Sequence, residues 1–269
     1  MNVEIDLRKS LNENASDYFN RAKKLKNKIH GLQIALQETQ KKAEMLRRRE
    51  QQQLQRKERI PEKRRERGWY EKFHWFFSSD NYLVIAGRDA ASNELLVKKY
   101  MEPSDVYFHS DIQGAAHCII KSTNNKAPEA TMNEAAQFAA VFSKAWALGI
   151  AAVDVYSVAP EQVSKSAKSG EYHSKGAFAI SGNREWYKKM KLELGVGVRK
   201  EKDSYVIISG PVSATEKHSI AFVRIAQDSL NRNELAKHIK AALEKKIEKF
   251  GALSLDEINS MLPGGGKIV

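Results

Sequence analysis

A short segment concentrates side chains that could do acid–base or metal chemistry: His109, Asp111, His117 and Lys121 lie within 13 residues. Positions 109 and 111 share a face of an extended strand, so His109, Asp111 and His117 have a spacing that a metal site could use. No Cys-x-x-Cys or His-Glu-x-x-His motif accompanies them, and Cys118 points away from its strand neighbour His117. The segment therefore favours hydrogen bonding at a surface over a metal centre or a nucleophilic pair.

A second polar group lies in a predicted loop between strands and comprises Gln162, Ser164, Lys165, Gly170 and Glu171. Such a loop can present backbone N–H and ammonium groups to phosphate oxygens. A serine–lysine nucleophile pair can be drawn from the same loop, but the partner motifs of such enzymes do not accompany it. An ordinary solvated loop is the alternative interpretation.

Arg88 and Asp89 stand between a predicted strand and a predicted helix. Asp89 suits the N-cap position, and Arg88 can reach outward or form a structural ion pair. The glycines of GPVSA and LPGGGKIV lack the spacing of a phosphate-binding loop or a dinucleotide fingerprint. The sequence therefore predicts no bound nucleotide cofactor.

Apolar runs and turn residues indicate the elements that position these groups. HWFFSS and YLVIAG flank the turn dipeptide Asp80–Asn81, which predicts a hairpin. VYFHSD and AHCIIKS predict two strands around Gly114, while Met132–Leu148 and Asn233–Phe250 have helical spacing. We expect an α+β fold over residues 69–269, with a mixed or antiparallel sheet and packed helices.

In residues 1–68 the apolar residues have a different spacing. Apolar or small residues recur four and three positions apart from Leu11 to Leu46, which predicts the narrow seam of a coiled coil. Several seam residues are small or polar, so the seam needs a partner helix, from a fold-back or from another chain. Pro61 breaks a regular helix. We expect a basic coiled-coil arm over 1–68, with a hinge near Pro61 and a boundary at Gly68.

The charge is concentrated in this arm. Residues 1–68 hold 19 of the 45 Lys and Arg but 10 of the 33 Asp and Glu, so they carry +9 of the net charge of +12. A basic arm on a nearly neutral domain suits a polyanion, because phosphate neutralisation releases counterions. A basic helix kept soluble by its charge and an anionic membrane surface are the alternatives.

Composition excludes several classes of protein. With 42% hydrophobic and 29% charged residues, the chain can bury a core and is not a disordered protein. Its single cysteine excludes an internal disulfide framework and fits a reducing compartment. No apolar run reaches the length of a membrane span, and the polar start lacks a signal peptide. We expect an intracellular protein.

Longer stretches resemble a known family. WYEKFHWFFSSDNYLVIAGRDAASNELLVKKY, DVYFHSDIQGAAHCIIK, TMNEAAQFAAVFSKAW and QVSKSAKSGEYHSKGAFAISG follow the order of the NFACT-R domain of the NEMF/RqcH family. NASDYFNRAKKLKNKIHGLQIALQET resembles the start of that family's middle coiled coil. The similarity covers nearly the whole chain and is greatest to archaeal members. Relatives often carry a histidine before the turn glycine Gly114, where this chain has Gln113, which hydrogen-bonds but does not titrate near neutral pH.

The resemblance implies ribosome-associated quality control, in which the protein binds a large ribosomal subunit obstructed by peptidyl-tRNA. The resemblance also implies recruitment of tRNA for C-terminal tailing of the stalled peptide. Ribosomal RNA and tRNA are the implied partners, the location is cytoplasmic, and no cofactor, metal or membrane is involved. By position, the resemblance assigns RNA binding to Arg88, Asp89, His109, Asp111, His117, Lys121, Gln162, Ser164, Lys165, Gly170 and Glu171.

The family's N-terminal domain, which holds the tailing motif, and its helix-hairpin-helix module are not recognisable here. We therefore expect no enzymatic activity from this chain alone. A missing N-terminal half in trans, or a second copy paired through the coiled coil, is expected as a further partner. Two other functions stay open: an RNA- or nucleotide-processing enzyme centred on His109–Lys121, and a coiled-coil assembly protein.

Overall fold

The chain forms two units, Met1–Arg65 and Glu66–Val269. The predicted hinge near Pro61 lies outside the described residues. No helix in the described part of the chain is both long and apolar enough to span a bilayer. A computed structural model describes residues 4–57, 67–124, 126–164, 176–201, 204–247 and 253–269.

The described residues of the first unit contain one 47-residue helix, α1 (Leu11–Lys57). It begins at a capping box, in which the Glu13 N–H donates to Ser10 Oγ at 3.3 Å and the Ser10 N–H donates to Glu13 Oε2 at 2.8 Å. These bonds satisfy donors that a helix start leaves without partners. The heptad residues Leu25 and Ile29 are more than half exposed. The predicted seam is therefore open to solvent along this helix.

Short strands form the framework of the second unit. They pair into a six-stranded sheet, a four-stranded sheet and a two-stranded ribbon, and every described pairing is antiparallel. In chain order the strands are β1 (His74–Phe77), β2 (Leu83–Ala86), β3 (Val106–Ser110), β4 (Cys118–Ile120), β5 (Ala152–Val158), β6 (Val163–Ser164), β7 (Ala179–Ile180), β8 (Glu185–Lys191), β9 (Glu193–Glu201), β10 (Ser204–Gly210), β11 (Ala221–Ala226) and β12 (Lys267–Ile268).

The six-stranded sheet has the order β1-β2-β4-β3-β5-β8, and the four-stranded sheet has the order β10-β9-β11-β12. β6 and β7 form the ribbon. The helices of this unit are α2 (Ala90–Leu95), α3 (Glu129–Val141), α4 (Lys144–Ala147), α5 (Val212–His218), α6 (Arg232–Lys246) and α7 (Leu255–Met261).

Both faces of the six-stranded sheet are buried at its central strands, β3 and β4. Successive strand residues point to opposite faces, so Phe108 and Cys118 join a core cluster with α3, whereas Tyr107 and Ile119 join a second cluster on the other face. All four side chains are fully buried. A sheet covered on both sides holds the ends of its strands rigidly, and those ends carry the polar residues considered below.

The structure confirms the predicted fold class: an α+β domain with antiparallel sheets, preceded by a long N-terminal helix. It also confirms the hairpin, in which Asn81 takes a left-handed backbone with a φ of 66°.

The predicted single helix Met132–Leu148 is wrong in its extent, because the chain breaks after α3 and restarts as α4. Ser143 makes the break: its hydroxyl donates to the Ala140 carbonyl at 2.6 Å and accepts from the Ala145 N–H at 3.2 Å.

Candidate nucleic-acid interface

A cavity of about 580 Å³ opens at one end of the six-stranded sheet, where β2 and β3 end and β4 begins. Its wall includes Arg88, Asp89, His109 and His117, so four of the residues predicted for RNA binding are brought together. Because neighbouring strands run in opposite directions, the ends of β2 and β3 lie beside the start of β4 at this end of the sheet.

Histidine and tyrosine rings form one wall. His109 is two residues beyond Tyr107 on β3 and pairs with Tyr156 on β5, which places these side chains on one face of the sheet. The His109 and His117 ring centroids are 5.1 Å apart. His117 Nδ1 lies 2.6 Å from the Tyr107 hydroxyl oxygen, and the His117 N–H donates to Asn93 Oδ1 at 3.1 Å. The Tyr107 contact orients the His117 ring, and the bond from the His117 backbone N–H holds the main chain at the start of β4.

The histidines of the cavity are neutral. Burial lowers the pKa of His117 to about 3, and the nearby His109 contributes to this shift. Burial also lowers the pKa of His109 to about 4. The pKa of His74 falls to about 3 because of burial and because of the charges of Arg88 and Arg232. At neutral pH these rings therefore offer hydrogen-bonding atoms and flat faces but no positive charge.

The positive charge comes from Arg88, Lys144 and Arg232, which also line the cavity. The Arg88 Nη2 donates to the Phe73 carbonyl at 2.9 Å, and the Arg232 guanidinium donates to the Leu262 carbonyl. Among the described residues, none of these three cations has a carboxylate oxygen within 4.0 Å.

The positively charged side chains of Arg88 and Arg232 repel each other. Burial, then the charge of Arg232, lowers the pKa of Arg88 from its ordinary value, and burial lowers that of Arg232. Arginine stays protonated at neutral pH in any case. An anion in the cavity would therefore stabilise like charges that lie close together.

The carboxylate of Asp89 has a structural role. It accepts from the Ser92 N–H at 2.7 Å and caps α2, as the sequence predicted. Asp111 is exposed at the end of β3 and is not part of the cavity wall. Its N–H donates to the Asp154 carbonyl at 2.8 Å, which joins the β3 end to β5.

Lys121 lies at the other end of β4 from His117. Its Nζ is 2.7 Å from Asp105 Oδ2 and 3.2 Å from Glu102 Oε2, and it donates to the Tyr100 carbonyl at 2.9 Å. The side chain is 19% exposed, so these contacts occupy most of its donors. The structure does not bring Lys121 to the cavity, and its RNA contact stays a prediction.

The second predicted group is only partly described. Gln162 Nε2 donates to the Ser181 and Asn183 carbonyls at 2.7 and 2.9 Å, so its amide joins the segment before β6 to the segment after β7. Ser164 is exposed on β6. Lys165, Gly170 and Glu171 lie outside the described residues.

Gly176 brings the far end of this loop to the cavity. It lines the wall with a φ of 80°, and a Cβ there would lie 2.7 Å from the Ala90 carbonyl oxygen. Only glycine combines that backbone with such a close approach.

Sequence reasoning missed His74, Lys144 and Arg232. Lys144 follows the break between α3 and α4, and Arg232 is the first residue of α6. A single lysine in an alanine-rich helix and a single arginine beside an asparagine give no signal in the sequence.

Neither a reactive thiol nor a metal-binding cluster is found among the described residues. Burial raises the pKa of the Cys118 thiol, so it is not a nucleophile near neutral pH. No described group of three His, Cys, Asp or Glu residues is arranged to hold a metal ion. What remains is a cationic, ring-lined cavity suited to ribose-phosphate.

Two family models match this chain. Residues 72–182 match the family model of the NFACT protein RNA binding domain, and residues 1–69 match the model of the NFACT N-terminal and middle domains. The chain belongs to the NFACT family.

Two relatives are similar to most of this NFACT chain. The archaeal Rqc2 homolog aRqcH of Methanocaldococcus jannaschii is 40% identical over 206 residues, which is 77% of this chain and 30% of that protein. The ribosome quality control complex subunit NEMF homolog of Drosophila melanogaster is 39% identical over 212 residues, 76% of this chain and 21% of that protein. This NFACT chain therefore spans less than a third of either relative.

This NFACT chain is also similar to a solved structure, the C-terminal part of the fibronectin/fibrinogen-binding protein from Streptococcus suis. The match covers 68% of this chain and 77% of that chain. Its TM-score is 0.39 at 21% identity.

Proposed function

We propose that this chain is the RNA- and ribosome-binding part of a cytoplasmic ribosome-associated quality-control factor. It recognises large subunits obstructed by peptidyl-tRNA and supports tRNA recruitment for C-terminal tailing of the stalled peptide. The match to an RNA-binding family model and the names of the relatives support this role.

The observation that carries the proposal is the set of three cavity cations, Arg88, Lys144 and Arg232, without carboxylate partners among the described residues. RNA phosphates supply the missing negative charge, and their neutralisation releases counterions. The neutral rings of His109 and His117 can then hydrogen-bond to ribose or stack against a base. We assign binding to the cavity residues and no chemical step to any of them.

The proposal also assigns a role to the N-terminal arm. Residues 1–68 would supply a basic helical lever that reaches along the subunit, and residues 69–269 would form the RNA-binding domain. The open seam of α1, with Leu25 and Ile29 exposed, would pair with a second helix, from the other half of the factor or from a second copy.

Co-sedimentation with purified large subunits, with and without tRNA, tests the proposal. The variant Lys144→Gln/Arg232→Gln removes two cavity cations, and the control Lys98→Gln/Lys237→Gln removes two surface cations that each pair with a glutamate at 2.7 Å. Both variants lose the same net charge.

The wild type and the control should sediment with the subunits, and the cavity variant should remain in the supernatant. Equal binding of the two variants would reject the cavity as the binding site. Conversion of the RNA during incubation would instead support the processing-enzyme alternative.

A further inference from the structure

β8 carries aromatic and basic side chains along the exposed edge of the six-stranded sheet. Arg184 precedes the strand, and Trp186, Lys188, Lys189 and Lys191 follow within it. Arg184 and the three lysines are exposed, and Trp186 is 38% exposed. We call Arg184, Trp186 and Lys188 the β8 strip.

The strip side chains lie against one another. The Arg184 guanidinium carbon is 4.4 Å from the Tyr156 ring centroid and 5.9 Å from that of Trp186. Lys188 Nζ lies 4.1 Å from the Trp186 ring centroid. Cations held near a half-exposed indole combine the two groups with which proteins bind unpaired nucleic acid: a ring for the base and charge for the phosphate.

A bulge lies at this edge of the sheet. The register between β5 and β8 shifts at Val153 and Val155, and Lys189 has a left-handed φ of 52°. Asp154 fixes the bulge by accepting from the Lys189 N–H at 2.8 Å and from Lys188 Nζ at 2.9 Å. In a regular strand neighbours point to opposite faces, but here consecutive lysines both reach solvent.

Tyr156 connects the strip to the cavity. It lines the cavity wall, pairs with Trp186 in the β5–β8 register, and lies 5.4 Å from the Trp186 ring at an interplanar angle of 65°. A strand of RNA that leaves the cavity past Tyr156 therefore meets Arg184 and then Trp186.

We infer that the β8 strip binds an unpaired RNA segment continuous with the nucleotide in the cavity, by stacking a base on Trp186. This inference rests on the proposed RNA-binding function. The stacked base takes the place of the Lys188 ammonium over the ring, and the Arg184 guanidinium reaches the adjacent phosphate while Lys188 keeps its ion pair with Asp154 at 2.9 Å. A duplex keeps its base faces covered, so the strip distinguishes unpaired from paired RNA.

The test measures affinity for two labelled probes, an oligouridylate of about ten nucleotides and a blunt-ended duplex stem of the same length. Trp186→Ala should weaken oligouridylate binding about 5- to 100-fold, since loss of one base–aromatic stack has that effect. Trp186→Phe should retain most of the affinity, and the alanine variant should bind the duplex stem as the wild type does.

Tryptophan fluorescence supplies a second measurement that does not depend on the alanine variant folding. Oligouridylate should quench wild-type emission, and Trp186→Phe should abolish most of that quenching. The matched control is Trp69→Phe, which removes another exposed indole, at 46% exposure, and should retain the quenching.

Four results would overturn the inference. Unchanged oligouridylate affinity in Trp186→Ala, while Arg232→Gln binds weakly, would reject the strip and leave the cavity and the proposed function intact. Quenching lost in Trp69→Phe instead would assign stacking elsewhere. Polyglutamate that competes as well as oligouridylate would show a general polyanion surface. A wild type that ignores oligouridylate rejects the strip, and subunit sedimentation then decides the proposed function separately.

Discussion

Acidification should destabilise the globular unit through its buried histidines. The pKa values of His74 and His117 are about 3 and that of His109 is about 4, against about 6.5 for an unfolded chain. A depressed pKa means that the unfolded state binds more protons, so the stability is present above pH 6.5 and is lost as the pH falls toward these values.

The size of the loss follows from the same values. Each histidine that is neutral in the fold and protonated in the unfolded chain costs about 1.4 kcal/mol per pH unit once the pH is below 6.5. Between pH 7 and pH 5 this amounts to about 2 kcal/mol for His109, whose folded pKa is about 4. The three histidines together would remove about 5 to 6 kcal/mol, a large share of a typical domain's stability.

Urea unfolding at pH 7 and pH 5, followed by tryptophan fluorescence, measures this loss. All four tryptophans lie beyond residue 68, so their emission reports on the globular unit. His109→Gln should lose about 2 kcal/mol less than the wild type between the two pH values. His238→Gln, which replaces an exposed histidine on α6, is the matched control and should follow the wild type. Equal losses for His109→Gln and the wild type would refute a buried, neutral His109.

Three further substitutions test the packing that holds the site. Phe138→Ala should lower the free energy of unfolding by about 3 to 5 kcal/mol in urea titrations, because Phe138 is fully buried. Asp89→Ala should cost about 1 kcal/mol in the same assay, because it removes the cap that accepts from the Ser92 N–H. Gly87→Ala should destabilise the fold by about 1 to 3 kcal/mol, since its Cβ would lie 1.9 Å from Asn93 Oδ1; a stability equal to the wild type would contradict this contact.

Much of the fold was predictable because burial leaves a periodic pattern. HWFF and LVIA are short apolar runs on either side of a turn dipeptide, and the structure pairs them as β1 and β2. β8 was missed because its sequence, EWYKKMK, is exposed at all but two positions and has no apolar run. α5 was missed because it begins within GPVSA and its 7 residues are too few to show helical periodicity.

The candidate site was less predictable than the fold. Arg88, Lys144 and Arg232 are far apart in sequence and meet only through the packing of the strand ends, α4 and α6. Lys121 is four strand residues beyond His117, which is a span of about 13 Å along β4. That distance places the two side chains at opposite ends of β4.

The salt dependence of binding to purified large subunits tests the central claim most directly. If the cavity cations contact RNA phosphates, log K falls linearly with log salt, and Arg232→Gln reduces the slope by about 0.7 to 0.9 while weakening binding at every salt concentration. An unchanged slope for Arg232→Gln, or no binding by the wild type in dilute buffer, would contradict the claim.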